Sequence, residues 1–68
     1  MNQWLTRVFE AGQANEGGVV RRSRVNIETY GGGMGPLIDF ARSQRWHVIE
    51  TGDQVIVLCH EGDLQIHC

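Results

Sequence analysis

Lysine is missing from the 68 residues, so all six positive charges are arginine, and they stand against eight acids for a net charge of -2. A chain with that balance has no bulk attraction for a polyanion. Long hydrophobic runs are missing too. None approaches the roughly 20 residues needed to span a bilayer, and Met1 to Glu10 has an acid and amphipathic spacing where a signal peptide has an apolar stretch. The expectation is a cytoplasmic protein with no membrane partner. Cysteine occurs twice, which allows one disulfide at most, and only in an oxidising compartment that nothing here indicates. Proline occurs once, at Pro36.

What is present suits one small α+β domain over residues 1–68. That length is near the lower limit at which a single core offsets the entropy of ordering the chain. Domains of this size are commonly reinforced by disulfides, a metal or a partner subunit.

Trp4, Leu5, Val8 and Phe9 lie at helical spacing and predict a first helix over Asn2 to Ala11. Gln13 to Gly18 reads as a polar connector. From Val19 to Tyr30, β-branched content rises, and Val25, Ile27 and Thr29 alternate with Asn26, Glu28 and Tyr30 as in a half-buried strand. Arg21 to Arg24 is either the exposed start of that strand or a turn between two short ones. Gly31 to Gly35 holds four glycines around Met34, and Pro36 suits the first turn of a second helix running to about Gln44. Leu37, Phe40 and Ala41 mark its apolar face, and Asp39, Arg42 and Arg45 its solvent side.

Trp46 to Thr51, Gln54 to His60 and Asp63 to Cys68 read as three strands of an antiparallel meander, with hairpin-length gaps at Gly52-Asp53 and Glu61-Gly62. The first strand, second helix and next strand have the spacing of a right-handed βαβ crossover. The expected architecture is therefore a mixed sheet of about four strands, with element order α-β-α-β-β-β. Val55, Ile56, Val57 and Leu58 are apolar at every position, so both faces of that strand want cover. Two helices, one on each face, are one solution. The short first helix leaves a second face incompletely covered, which points to a homodimer.

Cys59-His60 and His67-Cys68 resemble a tetrahedral zinc set, with His47 in reserve. Pairing across Glu61-Gly62 argues against it. Both cysteines would point to one face of the sheet and both of those histidines to the other. The cysteines would also stand roughly 13 Å apart at about 3.3 Å per residue, too far for a disulfide. No metal and no cofactor is expected. Cys59 reads as a buried thiol and the histidines as half-exposed strand residues, with an intersubunit metal site open only if a dimer forms.

Two binding sites stay open. Arg21, Arg22 and Arg24 concentrate half the positive charge and could contact phosphates, with Tyr30 as a stacking surface, although arginine on a strand edge also discourages aggregation. Gly33, Met34 and Gly35 form a candidate anion-binding turn ahead of a helix. That turn lacks the lysine and serine or threonine of a P-loop, and Pro36 deletes one donor. No nucleophile has a base fixed by spacing, and Glu28, Glu50 and Asp53 are not paired by local geometry, so an enzyme is not expected.

Gly17 to Arg22, a following helix, then Trp46-His47-Val48-Ile49-Glu50-Thr51-Gly52-Asp53-Gln54 and Cys59 resemble short uncharacterised bacterial proteins, over about the last fifty residues. Some of these carry the label phosphoribosylanthranilate isomerase. The label implies a (β/α)₈ barrel of around 200 residues or more, which a chain of this length cannot build, and no activity is carried over. The leading expectation is a self-associating protein-interaction module. A nucleic-acid-binding regulator is second and an anion binder third.

Overall fold

The computed structural model describes residues 1–11 and 17–68. Helix α1 (Gln3–Glu10) begins where the Asn2 side chain accepts a hydrogen bond from the Leu5 amide at 2.8 Å. That bond satisfies one of the donors a helix start leaves open. Leu5, Val8 and Phe9 are buried, as their spacing predicts. Most of the expected connector, residues 13–16, lies outside the described residues.

Strand β1 is Val19–Ser23, and helix α2 (Arg24–Tyr30) follows it directly. The expected strand through Tyr30 therefore stops at Ser23. The reason is a helix cap: Ser23 has extended backbone, and its hydroxyl accepts from the Asn26 amide at 3.2 Å. Of the alternating set, Ile27 is fully buried while Val25 is 64% exposed. Their spacing is used as a helix with one inward residue.

The Gly31–Gly33 turn leads into α3 (Met34–Ser43), whose first turn holds Pro36 as expected. Leu37 and Ala41 are buried, and Ile38 and Phe40 pack against the core. The helix closes at Gln44, where Arg45 takes a left-handed φ of 61° and the Trp46 amide donates back to the Ala41 carbonyl at 2.9 Å.

Strands β2 (His47–Thr51) and β3 (Gln54–Leu58) form the expected hairpin around Gly52-Asp53, with Thr51 opposite Gln54 and Glu50 opposite Val55. The rest of the expected meander is corrected. Residues 63–68 form no strand, and β1 takes the other edge of β3, antiparallel, with Val19 opposite Leu58 and Ser23 opposite Gln54. The sheet described is three-stranded and wholly antiparallel in the order β1-β3-β2, rather than mixed and four-stranded. The element order is α-β-α-α-β-β. No parallel crossover forms, because residues 24–30 are spent on a helix and β1 meets β3 head to tail.

Alternation places Val20, Val55 and Val57 on one face, where they join Leu5, Val8, Phe9, Ile27, Leu37, Ala41 and Cys59 in a single core. Each fully buried aliphatic side chain contributes about 1.5–3 kcal/mol. All the described helices feed that core, so the expectation of one helix on each face is also corrected. Among the described residues, the opposite face of the sheet has no helix over it.

Candidate functional site: the helix-free face of the sheet

The residues opposite in parity to Val20, Val55 and Val57 make the helix-free face. Two cross-strand rows compose most of it: Val19, Leu58 and His47, then Arg21, Ile56 and Ile49. Val19 is 47% exposed, and Ile49, Ile56 and Leu58 are half-buried. The apolar run on β3 predicts such a face. What sequence alone could not locate is the helices, which all went to the other side.

The arginine cluster is dispersed. Arg21 points to the helix-free face and Arg22, one residue on, to the opposite face. The Arg22 guanidinium donates to the Arg21 carbonyl at 2.7 Å. Arg24 opens α2 and reaches Glu28 at 3.0 Å and Glu50 at 3.2 Å. Its bond to Glu28 and the charges of both acids raise its pKa above the ordinary arginine value. The ion pairs among the described residues are both Arg24's. Glu50 shares a face with Val48, Val55 and Val57, as its hairpin register predicts, and is exposed at the margin.

The glycine turn is explained by packing. A methyl group at Gly31 would lie 2.7 Å from the Ile27 carbonyl oxygen and 3.1 Å from the Trp4 ring. Gly32 and Gly33 have φ of 78° and 94°, where side chains are strained. The amides of Gly31 and Gly33 both donate to the Ile27 carbonyl, at 2.9 and 3.3 Å. Of the residues proposed to face an anion, Gly33 has thus committed its amide, while Met34 and Gly35 begin α3 ahead of a proline with no amide to offer.

Cys59 is buried, its thiol donating to the Val57 carbonyl at 3.7 Å, and Cys68 is exposed. Burial pushes the Cys59 thiol pKa up, partly opposed by a backbone hydrogen bond from Val20. Because 63–68 is not a strand, the expected pairing across Glu61-Gly62 is not made. The chain after β3 bends instead toward β2. His47 and His60 meet edge to face with ring centroids 6.0 Å apart. Nε2 of His47 donates to the Gly62 carbonyl, and the Gly62 amide donates to Nδ1 of His60 at 3.1 Å. Farther on, Leu64 borders a cleft of about 490 Å³ with Ile38, Ala41, Trp46 and Val48. Sequence reasoning missed this histidine contact because it depends on where the tail goes after its expected strand fails to pair.

Among the described residues no group of three or more His, Cys, Asp or Glu is placed to hold a metal ion, and no helix is long and apolar enough to cross a membrane. No family model matches the chain, and no curated protein or solved structure is significantly similar to it.

Proposed function

We propose that this chain is a small self-associating protein-interaction module that acts by binding rather than by catalysis, with the helix-free side of the sheet as its contact surface. The observation that carries the reading is the pairing of Val19, Ile49, Ile56 and Leu58 on a face with no helix over it among the described residues. Val19 lies beside Leu58 and Ile49 beside Ile56, so the four form an accessible apolar cluster that a partner could cover. A second copy offers the same surface, and isologous pairing of like patches is the commonest route to a dimer. A bacterial, cytoplasmic setting belongs to the same reading, from the resemblance and the composition.

The test is the substitution Ile56→Asp at the centre of that face. Sedimentation equilibrium should show a dimer for the native chain and a monomer for the variant, with both retaining the same far-ultraviolet circular dichroism. A dimer unaffected by Ile56→Asp would refute this surface.

Nucleic-acid binding is the second reading, and the connectivity favours it. Helix α2, the glycine turn and α3 run ahead of a β-hairpin, and that element order is shared with DNA-binding modules whose second helix enters the major groove. The surface is poorly equipped for that role. The outward positions of α3 carry Gly35, Pro36, Asp39 and Arg42, one cation beside an acid. The hairpin does not project either, because Gln54 is paired with both Ser23 and Thr51 and the Asp53 carbonyl accepts from the Arg24 amide at 2.7 Å. Salt-dependent retention on a nucleic-acid column, abolished by changing Arg21, Arg22 and Arg24 together to glutamine, would promote this reading over the first.

A further inference from the structure

Residues 61–68 are the part of the chain whose sequence pattern the fold does not use. Leu64, Ile66 and Cys68 alternate with Asp63, Gln65 and His67, the period of a strand, yet the segment forms none and Ile66 is 76% exposed. The sheet meanwhile has β3 in its centre, so β1 and β2 each present an edge with no strand beside it among the described residues. An edge of that kind is a template for another strand.

The area of the open face also falls short. A five-residue strand is about 17 Å long and three strands are about 10 Å across between the outer two, at roughly 3.3 Å per residue and 4.8 Å per strand. Even allowing for side-chain relief, that face alone is small beside the ~800 Å² per partner typical of a stable complex. Self-association through it requires a further contribution.

We propose that residues 63–68 of each copy add as a fourth strand to the outer edge of β1 in a second copy, the exchange being reciprocal. This inference rests on the self-association reading and specifies how the copies join. Charge selects the edge. Glu61 and Asp63 precede and begin the segment, and β1 carries Arg21 and Arg22, neither of which forms an ion pair among the described residues. Strand β2 carries no arginine, and its acid, Glu50, is already paired with Arg24, so it offers the same acids no free cation. Parity fits as well. With Leu64 and Ile66 beside Val19, continuing the apolar face, Asp63 falls on the side of Arg22. The tail's own β1 is the wrong acceptor: the contact of His47 with Gly62 directs the segment to the β2 side, and β3 and β2 lie between it and β1.

The experiment is sedimentation velocity over a concentration series on the full chain, comparing Arg22→Glu, the pair Glu61→Lys and Asp63→Lys, all three together, and Ile66→Asp. Thermal melts confirm folding, which these exposed or half-exposed positions do not govern. Each charge reversal and Ile66→Asp should weaken dimerisation about tenfold or more, the cost of a lost interfacial contact of about 1.4 kcal/mol. The triple variant should recover most of the native affinity. A dimer indifferent to Ile66→Asp, or a triple variant no better than the worse parent, overturns strand exchange while leaving self-association standing. A native chain that is monomeric at every concentration overturns both.

Discussion

A methyl group at position 31 has nowhere to go, because the Ile27 carbonyl and the Trp4 ring occupy its space. Gly31→Ala should therefore destabilise the domain by about 1–3 kcal/mol, as overpacking does, whereas Gly35→Ala, with open space around it, should be tolerated. Urea midpoints of the two variants check this. Leu5 and Val57 are fully enclosed, and Leu5→Ala should cost about 2–5 kcal/mol. The cysteines should differ in reactivity: Cys68 modified at once by a thiol reagent, Cys59 only on unfolding. Burial also gives Cys59 a pH signature. Unfolded, it ionises near the ordinary value of 9.0, while the folded thiol holds its proton to higher pH. Above that pH the unfolded state binds fewer protons, so the contribution to stability is complete below it and is lost as pH rises through the folded value. Urea midpoints between about pH 8 and 10 should fall more steeply for the native chain than for Cys59→Ala.

Helix termini decide where the elements stop. Ser23 ends β1 and caps α2 in the same residue, so Ser23→Ala should cost about 1 kcal/mol in thermal or urea denaturation. Arg45 sits in left-handed backbone where glycine is usual, and Arg45→Gly should raise stability by up to about 1 kcal/mol. These two positions also show what a reader of the sequence could and could not see. Helices α1 and α3 were legible because their apolar residues recur at helical spacing, and the β2-β3 hairpin because Gly52-Asp53 fixes its register. Helix α2 was not. Val25, Ile27 and Thr29 are β-branched and alternate, and the competing signal was a single serine cap. The tail failed for a different reason: its alternation is local, but the edge of β3 it needed is taken by β1, more than thirty residues away along the chain. Of the site, the two-faced apolar character of β3 was visible, while the dispersal of Arg21, Arg22 and Arg24 depended on the strand ending at Ser23.

At the scale of the whole molecule, one core serves one face of one sheet, and on the proposed reading the other face and the outer edge of β1 are what a second copy covers. That division accounts for why so short a chain keeps an apolar run on both sides of its central strand. The proposed reading also differs from a groove-reading helix-turn-helix, whose second helix and hairpin would need cations where this chain has Asp39 and Asp53. The most direct measurement is the mass of the native chain by light scattering coupled to size exclusion, taken across dilution. The expected result is twice the chain mass at micromolar concentration, reverting to the single-chain mass on dilution or with Ile56→Asp. A single-chain mass at every concentration would contradict self-association as the module's function.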